Sequence, residues 1–74
     1  HQPGRYRQAG YISSTRAANI AARHTHARVT DVDLTTWRGR RVYEVDLDGR
    51  RGDYEVIVDA HSGRILSSKF DPDD

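Results

Sequence analysis

The stretch RVYEVDLDGRRGDYEVIVDAHSGRIL, residues 41–66, decides how this chain folds. Tyr43, Val45 and Leu47 alternate with Glu44, Asp46 and Asp48, and Tyr54, Val56, Val58 and Ala60 alternate with Asp53, Glu55, Ile57 and Asp59. A period of two is the mark of a strand with one buried face. Both runs carry Tyr-Glu-Val in the same phase, so antiparallel pairing with Leu47 opposite Tyr54 puts both apolar sets on one face. Gly49-Arg50-Arg51-Gly52 then forms a four-residue hairpin loop. A second turn is predicted over residues 59–63, where Gly63 supplies the left-handed conformation that such loops need, and Ile65 and Leu66 open a further strand.

Upstream, Val29, Val32 and Leu34 stand among threonines and aspartates and lead into Trp37-Arg38-Gly39-Arg40. Glycine as first central residue of a two-residue loop predicts a type II′ turn, pairing Arg38 with Arg41, Thr36 with Tyr43, Leu34 with Val45 and Val32 with Leu47. Before this run, Ser13 is a good N-cap, and Ile12 is placed to pack as a staple on Ala17. Ala17, Ile20, Ala21 and His24 share a face at helical spacing, which predicts a helix over residues 14–25 with His24 at the core edge. The expected fold is α+β: one N-terminal helix on one face of an antiparallel meander of three to four strands. The expected core is Ile20, Ala21, Val32, Leu34, Tyr43, Val45, Leu47, Tyr54, Val56 and Val58. Residues 1–11, with Pro3, Gly4, Arg5, Arg7 and Gly10, read as a mobile basic arm that Tyr6 and Tyr11 can tack down. Residues 12–70 read as the domain, and residues 71–74 as an acidic tail that does not continue the last strand.

Length and composition bound the rest. A 74-residue chain is one small domain that hides only about 60% of the surface its unfolded form exposes. With neither cysteine nor methionine, no disulfide or thiolate chemistry is available. No apolar run is long enough to span a membrane. A formal net charge of +1 gives no long-range pull toward nucleic acid or anionic lipid. The start at His1 points to an excised domain or a mature chain freed of its leader.

The order of elements, one capped helix followed by an antiparallel meander, resembles the PepSY domain, the module shared by propeptides of secreted metallopeptidases and a spore germination protein. VDAHSGRIL, residues 58–66, is similar to the family's closing Val-Asp-Ala-x-Thr-Gly signature, with Ser62 in place of threonine. The two Tyr-Glu-Val strands and Ile12-Ser13 with Ala17, Ala18, Ile20 and Ala21 resemble its strands and opening helix. The first helical turn departs from the family, holding Thr15 and Arg16 where acidic residues are usual. The resemblance implies a location outside the cytoplasm, no catalytic residues and a role in restraining or assisting a peptidase.

The candidate site lies on the sheet face away from the helix. The predicted pairings set Asp33 beside Asp46 and Asp46 beside Glu55, with Asp31, Asp48 and Asp53 near. Directly opposed like charges are unfavourable, so this band calls for water, the chain's own arginines or a basic partner. Trp37 and Ile57 fall on the same face and supply apolar contact for a partner protein or a second copy. The expected partner-binding set is therefore Trp37, Ile57, Asp31, Asp33, Asp46 and Glu55. The alternative is ligand or cation sensing by the same acidic face, although no Asp-x-Asp-x-Asp-Gly loop is present to wrap an ion. His24 and His26, two apart, point about 200° apart on a helix and lack a third ligand, so no metal site is assigned to them. Arginines gather at both ends of the sheet, but the aromatics that would stack on bases are phased inward, which argues against nucleic acid. No nucleophile stands at a recognisable spacing from a histidine and a carboxylate, and Gly49-Arg50-Arg51-Gly52 has no following helix to make a phosphate loop. The chain reads as a non-enzymatic protein-binding domain that needs no cofactor.

Overall fold

The computed structural model of the chain describes residues 10–73, so the basic arm expected over residues 1–11 lies outside the described residues except for Gly10 and Tyr11. Helix α1 runs Ser14–Thr25 and is followed by strands β1 (Arg28–Trp37), β2 (Arg40–Asp48), β3 (Gly52–Asp59) and β4 (Ile65–Pro72). The strands form one antiparallel sheet in the order β1-β2-β3-β4, the expected α+β meander with its fourth strand present.

The helix begins where its cap dictates. Ser13 sits in extended conformation and its Oγ accepts the Arg16 amide at 3.0 Å, filling one of the orphan donors of the first turn. It ends at His26, which takes the left-handed conformation (φ 57°) and returns its N–H to the Ala22 carbonyl. Ala17 and Ala21 are fully buried, and such small side chains let the helix lie close to the sheet. The core under them is Tyr43, Val45, Leu47, Val56, Val58 and Ala60. Ile20, Val32, Leu34 and Tyr54 pack against this core but stay half-exposed at its margin, because one helix is too narrow to cover four strands. His24, expected at the core edge, is exposed.

Three further expectations are corrected. The β1–β2 turn is Arg38-Gly39, with φ of 51° and 81°, a type I′ geometry in place of type II′. Trp37 therefore pairs with Arg40, Leu34 with Tyr43 and Val32 with Val45, a slip of two residues from the predicted pairing. An even slip leaves every side chain on its predicted face, which is why alternation alone did not detect it. A bulge at Thr30 restores Val29 opposite Leu47, so Val29 and Val32, three apart in sequence, both face the core. The Thr30 hydroxyl donates to the Asp46 carbonyl at 3.2 Å and holds the bulge on β2.

The second correction is at the C-terminus: β4 continues through Asp71 and Pro72, which pair with Asp53 and Gly52, and the Asp73 amide donates to the Arg51 carbonyl at 2.8 Å. Proline is tolerated there because β4 is an outer strand, where a missing amide leaves no ladder partner unsatisfied. The third concerns the far face. Ile57, expected as open apolar surface, is 7% exposed, and Val42 beside it is fully buried. The sheet thus has a second, smaller apolar layer on the side without the helix.

Chain entry is tied to the β3–β4 turn. The Ile12 amide donates to the Ala60 carbonyl at 2.7 Å, the Ala60 amide to the Arg41 carbonyl at 3.1 Å, and the Tyr43 hydroxyl to the Ile12 carbonyl at 2.6 Å. Tyr11 packs edge-on against His61, and its hydroxyl accepts Arg41 Nε at 3.3 Å.

Candidate functional site

The far face is built by alternation from the core. Since Tyr43, Val45 and Leu47 point to the helix, Val42, Glu44, Asp46 and Asp48 point away, joined by Asp31, Asp33, Thr35 and Trp37 from β1, Asp53, Glu55 and Ile57 from β3, and Ser67 and Lys69 from β4. The six residues singled out in the sequence all lie on this face. Their neighbours differ from those expected: Asp33 is opposite Glu44, Asp31 is opposite Asp46, and Asp46 remains opposite Glu55. Trp37 stands across from Arg40 rather than Val42, with the Arg38 guanidinium 4.7 Å from its ring centroid.

Sequence reasoning passed over Glu44. In the slipped register it faced Thr35; in the actual one it is the centre of the acidic band. Carboxylate oxygens of Glu44, Asp46 and Glu55 come within 4.8 Å of one another. The shared proton of a hydrogen bond with Glu55, then partial burial and the charges of Glu55, Asp46 and Asp33, push the Glu44 carboxyl up to about 7. Asp46 is raised by desolvation and then by Glu55, Asp31, Asp33 and Asp53. Asp33 is raised through its hydrogen bond and repulsion with Asp31. Asp53 is raised by desolvation and by Asp48 across the strand pair. The ion pairs among the described residues are Arg28–Asp48 at 2.9 Å and Arg40–Asp59 at 3.4 Å, and neither neutralises the middle of the band. Crowded carboxylates without a cation hold protons more tightly. Among the described residues, Glu44, Asp46 and Glu55 are the carboxylates close enough together to share a cation.

Beside the band, toward the β1–β2 turn, a cleft of about 160 Å³ is lined by Thr35, Trp37, Glu44, Glu55, Ile57 and Lys69, among others. The two outer strands, β1 and β4, flank this face, and among the described residues each has a ladder partner on one side only. The arginines at the turn end are partly engaged within the fold, Arg40 by Asp59 and Arg41 by Tyr11 and Thr36.

These features define a small α+β domain, one helix on one face of an open four-stranded antiparallel sheet whose other face carries the acidic band. Residues 11–69 match PepSY, described as "Peptidase propeptide and YPEB domain", and the chain belongs to that family. It is 32% identical over 56 residues to an uncharacterised Bacillus subtilis (strain 168) protein, YkoJ, an alignment covering 76% of this chain and 33% of the relative. The chain thus spans about a third of the length of that curated relative. No solved structure matches. The family is associated with peptidase propeptides and inhibition; its members are generally non-catalytic and typically extracytoplasmic. No helix among the described residues is long and apolar enough to cross a membrane.

Proposed function

We propose that this domain acts outside the cytoplasm as a binding module that restrains or assists an exported peptidase, engaging it through the sheet. The observation that supports this most directly is the open four-stranded sheet with two outer strands, in a family tied to peptidase propeptides. An outer strand offers a row of backbone donors and acceptors to an extended segment without demanding much of its sequence. Strand β1 is the favoured edge. Asp31 and Asp33 discourage pairing with a second copy of the same strand, and Trp37 at its end is an aromatic anchor of the kind that dominates binding energy. The binding residues in this reading are Trp37, Asp31, Asp33, Asp46 and Glu55, with Ile57 as a buried floor.

The test is incubation of the pure domain with a panel of secreted metallopeptidases, following cleavage of a fluorogenic peptide and complex formation by size-exclusion chromatography with light scattering. Saturable inhibition or protection by the native domain, weakened by Trp37→Ala, is the expected result. The absence of both a complex and an altered rate with every peptidase tested would defeat the reading. Light scattering of the domain alone reports whether it pairs with itself.

The 4.8 Å cluster of Glu44, Asp46 and Glu55 favours a second reading, cation sensing by the same face. A rise in melting temperature with calcium or magnesium, lost in Glu44→Gln, would support that reading over protein binding.

A further inference from the structure

We propose that the cleft between Trp37 and the Glu44–Glu55 pair is a receptor for a single arginine or lysine side chain, carried by an extended segment of the partner. This inference rests on the reading that the domain binds protein through its sheet, and it specifies the chemistry of the partner. Four observations converge on it. At about 160 Å³ the cleft is smaller than the roughly 300 Å³ at which pockets for small-molecule ligands begin, so it suits one side chain. Its floor is Ile57, itself 7% exposed, which supplies apolar contact for the methylene stem of a long basic side chain.

Its walls are an indole and two carboxyl groups. Cations are attracted to the face of tryptophan, and the Arg38 guanidinium already lies 4.7 Å from the Trp37 centroid. Opposite stand Glu44 and Glu55, unpaired with any cation among the described residues. The groups that face them are Asp31 and Asp33 from β1, Asp46 on β2, Asp53 on β3, and Lys69, which is opposite Glu55 on β4 without forming an ion pair. Lys69 alone does not balance so many carboxyl groups, and an incoming guanidinium would meet two carboxyl groups together with the indole surface that Arg38 leaves uncovered, the combination for which arginine is better suited than lysine.

Trp37 is the single tryptophan, so its fluorescence reads occupancy of the cleft. The domain is titrated with the acetylated and amidated peptide Val-Thr-Arg-Thr-Val and with the same peptide carrying glutamine at the centre, and calorimetry repeats the measurement without relying on the indole. Saturable binding of the arginine peptide, at least about tenfold tighter than the glutamine peptide, is expected, since charged hydrogen-bonding groups discriminate at that level or more. The double variant Glu44→Gln/Glu55→Gln, which removes repulsion and so keeps its fold, should weaken the arginine peptide by about tenfold. Affinity should also fall between about pH 8 and about pH 5.5 as Glu44 takes up its proton. Equal binding of the two peptides, or undiminished binding by the double variant, overturns the inference. So does arginine-peptide binding that appears only after residues 1–9 are removed, which would make the chain's own Arg5 and Arg7 the occupants. A peptidase complex formed in the absence of any arginine preference would sink this inference alone and leave the proposed function standing.

Discussion

Among the described residues, Asp59 is the charged residue that is buried. Its carboxylate accepts the amides of His61 at 2.7 Å and Ser62 at 2.9 Å, while its own carbonyl accepts Gly63 N–H at 2.9 Å. Those contacts close the β3–β4 turn, and Gly63 follows at φ 81°, where a Cβ would be strained and would crowd Ile20 at 3.2 Å. The signature around it thus has a mechanical reading: Val58 is core, Asp59 closes the turn, Ala60 is buried against the chain entering α1, Ser62 Oγ accepts the Arg64 amide, and Gly63 reverses direction. Asp59→Ala should cost about 2 kcal/mol, the range for hydrogen bonds to a charged group, measured by urea denaturation. Asp59→Asn, which keeps the acceptor oxygen, should cost less. An alanine variant of native stability would show that the turn is held by its backbone alone. The two amides lower the Asp59 carboxyl below its ordinary 3.8, so its contribution is complete above that value and is lost only as pH falls through the depressed one.

At the scale of elements, the sequence was legible wherever a local interaction decides the outcome. The helix lies at Ser14–Thr25 as expected, because the Ser13 cap and the alanine spacing are both local signals. The β2–β3 pairing, Leu47 with Tyr54 and Val45 with Val56, follows from two in-phase runs across a short loop. The β1–β2 pairing was not legible to the residue, since type I′ at Arg38-Gly39 and type II′ at Gly39-Arg40 give the same faces. The Val29–Val32 spacing was the available clue to the bulge. Only the backbone decides between the turns, and it places Arg38 at φ 51°, a conformation that asparagine adopts with less strain than arginine. Arg38→Asn should therefore stabilise the domain by roughly 0.5 kcal/mol, the turn preference outweighing the lost contact with Trp37. In the type II′ register the same residue would sit in a strand, where asparagine is disfavoured. A lower thermal midpoint for the variant would thus count against the type I′ turn. The site inherits the same limit: its face was readable from alternation, but Glu44 at its centre emerges only once the register is known.

At the scale of the whole fold, charge among the described residues is segregated even though the chain's formal sum is only +1. The far face gathers Asp31, Asp33, Glu44, Asp46, Asp53 and Glu55, whereas Arg38, Arg40, Arg41 and Arg64 lie toward the β1–β2 and β3–β4 turns. Such a face resists folding at neutral pH. Glu44 is raised from 4.5 to about 7, and Asp33, Asp46 and Asp53 are raised as well. A raised carboxyl binds its proton more tightly in the folded state than in the unfolded chain, so between the two values folding takes up protons and stability grows as pH falls. For Glu44 that window runs from about 7 down to 4.5. Asp59 acts with the opposite sign, but only below 3.8. The domain should therefore melt higher at about pH 5 than at about pH 8 and lose stability again in strong acid. Glu44→Gln should raise the midpoint at the alkaline end and flatten the rise. Added sodium chloride should stabilise the native domain near pH 8, by screening the band, and do little near pH 5, where much of the repulsion has been titrated away. Differential scanning calorimetry over that range gives the answer. A midpoint that falls between pH 8 and pH 5, or salt that lowers it at the alkaline end, would mean that the band is already neutralised within the chain and holds no unmet charge for a basic partner to satisfy.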